Sequence, residues 1–219
     1  MPILIEAAID SAAAAERAVL EGADRLEVCA DLDVGGLTPS LELLVDCLAL
    51  GVPCVAMARP RAGNFRYDDA ERRELERSVT ELCRAGAHGV VFGALTSDSA
   101  VDAEAAQSIV RLCSGKDTVF HRAFDRTANA HVALTTLISC GVTRVLTSGH
   151  SATAAEGIDT LVALSAQAAG RVQILPGGGV RAHNVVDIVR RTRVAQIHAR
   201  GTEPGVIAAM RDALRAAKC

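Results

Sequence analysis

Gly22-Ala23-Asp24-Arg25-Leu26-Glu27-Val28, Gly86-Ala87-His88-Gly89-Val90-Val91-Phe92 and Gly141-Val142-Thr143-Arg144-Val145-Leu146-Thr147 repeat one pattern. Each sets a glycine just past a helical stretch, then two residues of turn, then a short apolar run. Glycine has no Cβ and so takes the left-handed conformation that closes a helix. The apolar run reads as a buried parallel strand. Gly51-Val52-Pro53 and Gly170-Arg171-Val172 are weaker copies. A chain that repeats helix, glycine and strand is an α/β protein built from βα units.

Working outward gives eight such units. The strands are expected at Ile3–Ala8, Arg25–Cys29, Val52–Ala58, Gly89–Gly93, Thr118–Ala123, Arg144–Thr147, Val172–Pro176 and Gln196–Ala199. The helices are expected at Ala12–Glu21, Pro39–Leu50, Ala70–Ala85, Ala103–Cys113, Ala130–Ser139, Ala152–Ala169, Asn184–Arg191 and Val206–Ala217. Ser11, Thr38-Pro39 and Asn129 supply helix-start signals. Short connections favour closure into a barrel. Ile9-Asp10-Ser11-Ala12 lacks the G-x-G-x-x-G of an open dinucleotide-binding sheet. The expected fold is a single-domain (β/α)8 TIM-type barrel over residues 1–219. The longest irregular stretches, Asp31–Thr38 and Pro60–Asp69, follow strands and fall on the face where barrel enzymes keep their site loops.

Composition narrows the function. The 219 residues lie within the range of about 200 to 250 or more that such a barrel uses. Hydrophobic residues make up 50% of the chain and aromatic residues 2%, so the core must be built from Ala, Val, Leu and Ile. Aromatic platforms for stacking bases are missing. A net charge of -3 without a basic run also argues against nucleic acid. No run of about 18 apolar residues is present, and Met1-Pro2-Ile3-Leu4-Ile5-Glu6 lacks the basic start of a secretion signal. No membrane partner is expected. Seven scattered cysteines, an odd number, form no disulfide framework, which points to reduced thiols and a cytoplasmic location.

Polar residues stand out against the apolar strands. Glu6 closes the first strand, and Glu27 and Cys29 share one face of the second. Arg59 and Arg61 follow the third; His121, Arg122 and Asp125 close the fifth; Thr147 and Ser148 close the sixth. Gly177-Gly178-Gly179 follows the seventh, and His198 closes the eighth. Barrel closure brings these carboxyl ends to one mouth. Glu6, Glu27, His121 and Asp125 are the acid–base candidates. Arg59, Arg61, Arg122, Thr147, Ser148, Gly177, Gly178, Gly179 and His198 are the anion-binding candidates, because guanidinium forks and glycine amides suit carboxylate or phosphate. Glu6, Glu27 and Arg59 can equally pair with one another as structural ions. His150 could reach the mouth; His88, His131 and His183 are expected on the surface.

Metal-ligand spacing is absent: there is no C-x-x-C, H-x-x-x-H or H-E-x-x-H. Cys29 is the metal-ligand candidate, because it alone among the cysteines is expected at the mouth. Met57 on the neighbouring strand could give the second sulfur that a soft Cu(I) site wants, although core packing explains both. Cys54 should face the helices, and Cys47, Cys83, Cys113 and Cys140 fall in helices or at their ends; Cys219 is a terminal thiol. The apolar helix Val206–Ala217 is a candidate for self-association, and packing against the barrel explains it equally well.

Taken together, these segments resemble the CutC copper-homeostasis family. The likeness is carried by Glu27-Val28-Cys29, Gly35-Gly36-Leu37-Thr38-Pro39-Ser40, Arg59-Pro60-Arg61-Ala62-Gly63-Asn64-Phe65 with Tyr67, and Val91-Phe92-Gly93-Ala94-Leu95. It continues through Phe120-His121-Arg122-Ala123-Phe124-Asp125, Val145-Leu146-Thr147-Ser148-Gly149 and Pro176-Gly177-Gly178-Gly179-Val180. The resemblance runs from about Leu4 to His198 and implies a cytoplasmic (β/α)8 barrel, often oligomeric, with a role tied to copper. Ala8 and Arg66 stand where members often carry Cys, and His198-Ala199-Arg200 replaces His-x-Ser. Two functions are therefore expected. One is copper homeostasis with Cu(I) bound at Cys29. The other is an enzyme acting on a small phosphorylated or carboxylated anionic molecule. A homo-oligomer is expected in either case.

Overall fold

The computed structural model describes residues 2–218; Met1 and the terminal thiol of Cys219 lie outside the described residues. Eight strands, β1 (Leu4–Ile9), β2 (Arg25–Val28), β3 (Cys54–Met57), β4 (Gly89–Phe92), β5 (Asp117–Phe120), β6 (Arg144–Thr147), β7 (Gln173–Pro176) and β8 (Gln196–Arg200), form one sheet. The helices between and after them are α1 (Ala12–Leu20), α2 (Leu41–Leu48), α3 (Asp69–Arg84), α4 (Ala103–Leu112), α5 (Ala130–Cys140), α6 (Ile158–Ala168), α7 (Val185–Thr192) and α8 (Val206–Ala216). The strand order is β7-β6-β5-β4-β3-β2-β1-β8, and every ladder is parallel. At the seam the Gln196 side chain donates to Gln173 Oε1 across 2.7 Å, which joins β8 to β7. The fold is the expected (β/α)8 barrel.

Local chemistry explains most of the boundaries. Gly22, Gly86 and Gly141 close α1, α3 and α5 with φ of 97°, 104° and 83°. Ser11 and Asn129 cap α1 and α5 with their side-chain oxygens. Three expectations are corrected. The helix predicted from Pro39 starts at Leu41 with Ser40 as its cap, because the Thr38 hydroxyl is taken by the Arg59 amide at 2.9 Å. The strand predicted to run to Ala123 stops at Phe120, and Arg122–Arg126 is a 3₁₀ turn capped by His121. The helix predicted from Ala152 starts at Ile158, since residues 148–157 pack into a tight loop. In that loop a Cβ at Gly157 would lie 1.9 Å from the Ser148 carbonyl oxygen.

Strand side chains alternate between two layers. Outward residues such as Ile5, Leu26, Val28, Phe92, Phe120 and Ile197 pack under the helices in one large core. The α8 face of Ile207, Met210 and Leu214 is buried in the same core, so barrel packing rather than self-association uses it. Inside the barrel, a small core holds Ala8, Cys29, Leu32, Val55, Met57, Val91, Val119, Leu146 and Leu175. The remaining interior is polar, with buried Glu6, Arg25, Glu27, Arg144, Gln196 and His198. No helix among the described residues is long and apolar enough to cross a membrane.

Candidate functional site

The carboxyl ends of the strands and the loops after them surround a cavity of about 1010 Å³. Glu27 and His198 line its depth; His121, Arg122, Gly178 and Gly179 line its middle; Arg59, Arg66, Arg126, Arg181 and Arg200 complete its basic wall. Six arginines against three carboxylates (Glu27, Asp125 and Glu203) give the mouth a positive field.

A hydrogen-bonded trio forms the floor. Glu6 is fully buried; it accepts from Arg25 Nε at 2.5 Å and binds His198 Nδ1 at 2.8 Å. Burial opposes its charge, but His198 and Arg25 outweigh burial and hold its pKa at about 2. Glu6 does not line the cavity, so it orients His198 rather than meeting a ligand. His198 Nε2 lies 3.9 Å from Glu27 Oε2. Burial lowers the affinity of the His198 ring for its proton, yet Glu27 and Glu6 raise it above the ordinary value overall. Burial raises the Glu27 pKa, with His198 opposing and Glu6 adding to the rise, and its Oε1 has no protein partner. Glu27 and His198 are therefore the pair able to exchange a proton with a bound molecule.

His121 has a different role from the one expected. Its Nδ1 accepts from the Ala123 amide at 3.1 Å, which places the ring proton on Nε2. Burial, helped by the nearby Arg59 charge, pushes its pKa down to about 3. The ring is a neutral donor at physiological pH, and its buried Nε2 has no protein acceptor. It sits directly over Gly93, where a Cβ would lie 2.2 Å from the ring. His121 stands out in the sequence as a polar residue closing a strand; the need for Gly93 beneath it carries no such local signal.

Donors without protein acceptors gather after β5 and β7. Arg122 Nε and Nη2 bond Asp125 and Ser148, at 2.8 Å each. That leaves Nη1, which with Cζ lies 3.2 Å from the position of a Cβ on Gly178. Gly178 has φ of 97° and Gly179 of 69°, and the amide of neither finds an acceptor among the described residues. Gly177 stands apart: its amide bonds the Thr147 carbonyl, and it packs against Leu146 and His198.

Other expected site residues serve the scaffold. Asp125 accepts from Thr147 Oγ1 at 2.5 Å, from the Ser148 amide at 3.0 Å and hydroxyl at 2.9 Å, and from the His150 amide at 3.2 Å. That occupies Asp125, Thr147 and Ser148 with one another; none is a free acid, base or hydroxyl donor. His150 bonds Thr127 rather than reaching the cavity. Arg61 turns outward to Glu71 and the Arg66 carbonyl, and it too leaves the anion set. Arg59 braces the loop after β2 through Nη1 to the Val34 and Gly36 carbonyls, both at 2.9 Å, and lies 4.8 Å from the Phe65 ring. Its Nε is buried without an acceptor, so it contributes charge and one spare donor.

Cys29 is fully buried inside the barrel, with Sγ 3.6 Å from Glu27 Oε2. Burial and the Glu27 charge push its thiol pKa far up, so the proton stays on sulfur. Met57 shares its cluster, but no second cysteine among the described residues joins them. Glu6, Glu27 and His198 bring ligand atoms within 4.8 Å of one another. They are hard donors, and both Glu6 oxygens are already engaged. Neither set fits a soft Cu(I) ion as a resident centre. The thiols that do meet are Cys83 and Cys113, at the carboxyl ends of α3 and α4, where the shared hydrogen bond holds the Cys83 pKa at about 7.

Fold and mouth together define a TIM-type barrel with an arginine-rich cavity at the carboxyl ends of its strands. The chain belongs to the CutC family, whose sequence model matches residues 3–203. It is 42% identical over 206 residues to a CutC family protein of Xanthomonas axonopodis pv. citri, covering 94% of this chain and 85% of that one. It is 39% identical over 196 residues to a copper homeostasis protein cutC homolog of Homo sapiens, covering 89% of this chain and 72% of that one. The crystal structure of a copper homeostasis protein CutC from Streptococcus agalactiae superposes with a TM-score of 0.86 at 32% identity, covering 92% of this chain and all of that one.

Proposed function

We propose that this chain serves copper homeostasis, as relatives are named for, by acting on a small phosphorylated or carboxylated molecule at the barrel mouth rather than by holding Cu(I) itself. The observation that carries this reading is the set of donors without acceptors around one cavity: Arg122 Nη1, the Gly178 and Gly179 amides, His121 Nε2 and Arg59 Nε. Unpaired donors of this kind, in a basic and partly desolvated pocket, suit an anion. The anionic group would rest between Arg122 and the two glycine amides. His121 would donate a neutral hydrogen bond, and Glu27 with His198 would move a proton to or from the reacting end. The reading includes one cytoplasmic domain that associates with its own copies. The exposed apolar side chains Leu20 on α1 and Leu41 and Val45 on α2 support self-association.

Two titrations test it. Phosphate and carboxylate metabolites should raise the melting temperature of the protein, and Arg122→Ala should weaken the responsible ligand at least about tenfold, since a charge-assisted contact contributes about 1.5–3 kcal/mol. An anaerobic Cu(I) titration against a competing chelator should show no stoichiometric binding that depends on Cys29. Chelator-resistant copper lost in Cys29→Ser would overturn the reading in favour of a Cys29–Met57 site. Loss in Cys83→Ser alone would put the metal at the helix pair and leave the mouth to the anion.

A further inference from the structure

At the opposite end of the barrel the strand amino ends surround a second cavity, of about 400 Å³. Arg25, Arg144 and Arg193 stand in its wall with Ser165, Gln173 and Gln196, and no carboxylate lines it. Arg144 is only 5% exposed. Its Nη2 donates to Asp117 at 2.7 Å and its Nε reaches Gln173 at 3.4 Å, but Nη1 is sealed from solvent without an acceptor. Ser165 Oγ, from α6, is sealed and unpartnered in the same way. Arg193 is exposed at the end of α7, at the rim.

A buried guanidinium donor left unpaired is costly. Glu6 and Asp117 balance the charges of Arg25 and Arg144, which leaves Arg193 at the rim as the cation of this cavity without a carboxylate among the described residues. A water molecule answers only the unpaired donor; an oxyanion answers that donor and the Arg193 charge together, and a guanidinium fork matches its geometry. We propose that this cavity is a second anion site, which takes one phosphate-sized oxyanion beside Arg193 at the rim, with Arg144 Nη1 and the Ser165 hydroxyl released to it by a turn of those two side chains. It uses none of the residues of the mouth and stands independently of the function assigned there. Barrel chemistry belongs to the carboxyl-end face, so an anion here acts as an effector or stabiliser rather than a reactant.

The test is an amide-resolved NMR titration of the full chain with inorganic phosphate, and in parallel with glycerol 3-phosphate. The expected result is saturable movement of the Gly170 and Ala195 amides. Arg193→Ala and Ser165→Ala should each weaken that curve about tenfold, while the Gly178 and Gly179 curves stay as in the wild type. These two side chains are used because loss of Arg144 would disturb the barrel floor. Tighter binding of glycerol 3-phosphate assigns the site to a phosphate ester, and tighter binding of inorganic phosphate assigns it to the free ion. Silent Gly170 and Ala195 amides, curves unchanged in both variants, or an equal response to chloride would each overturn the proposal.

Discussion

Glu6→Ala is expected to lower the stability of the barrel by about 3–5 kcal/mol, because it strands a buried guanidinium and a buried imidazole without their counter-charge. Glu6→Gln keeps the shape but not the charge, and is expected to recover only part of the loss. The pH profile identifies the cause. The carboxyl of Glu6 titrates near 2 in the folded chain against an ordinary 4.5. Its contribution, about 3 kcal/mol, is therefore complete above the ordinary value and disappears as pH falls from there towards 2. His121 adds a separate acid-labile window. Its ring stays neutral down to about 3 in the folded chain, whereas the unfolded chain takes up that proton near 6.5. Stability falls across that interval as pH drops. Urea midpoints at several pH values should show both windows in the wild type and only the His121 window in Glu6→Ala. An unchanged lower window would remove Glu6 from the account.

The second large effect is expected from Asp125→Ala. One carboxylate organises the Thr147 hydroxyl, the Ser148 amide and hydroxyl, the His150 amide and the Arg122 guanidinium. Its removal leaves buried donors unpaired, each worth about 1–3 kcal/mol, so a loss of at least about 3 kcal/mol is expected. Asp125→Asn should sit between, since an amide oxygen still accepts. Arg122 loses its anchor in both variants, and anion affinity at the mouth should fall with stability. A variant with full stability but no anion binding would show Asp125 meeting the ligand directly. A variant with normal binding would sever the link between this carboxylate and Arg122.

The barrel was legible because its signals are local. Helix-closing glycines and short apolar runs fix eight units without reference to distant residues. Errors fell where a side chain answers to another part of the chain: Thr38 serves Arg59 instead of a helix, and the 148–157 loop follows Asp125 and Gly157 rather than its own alanines. The site was legible as a neighbourhood rather than as roles. Residues at the ends of strands were gathered correctly, yet sequence distance cannot tell an acid that faces the cavity from one that braces it. Glu6 lies beneath the cavity, Asp125 at its edge is taken up by its neighbours, and Arg61 turns away from it. Arg25, Arg144, Gln173 and Gln196 escaped notice altogether. Polar residues opening a strand look like solvated turn positions, and only barrel closure turns them inward.

These residues form a column that crosses the interior: Asp117, Arg144, Gln173, Gln196, Arg25, Glu6 and His198, with Glu27 at its upper end. Charges along it are nearly balanced when His198 carries its proton, and unbalanced when it does not. An anion arriving at the mouth strengthens the hold of His198 on that proton. If the proposed anion binds at the mouth, its uptake draws a hydrogen ion from solution wherever the ring is incompletely charged, and the complex is expected to tighten as the medium acidifies. The barrel would then act as a proton-coupled receptor, retaining more of its ligand at low pH than at high pH.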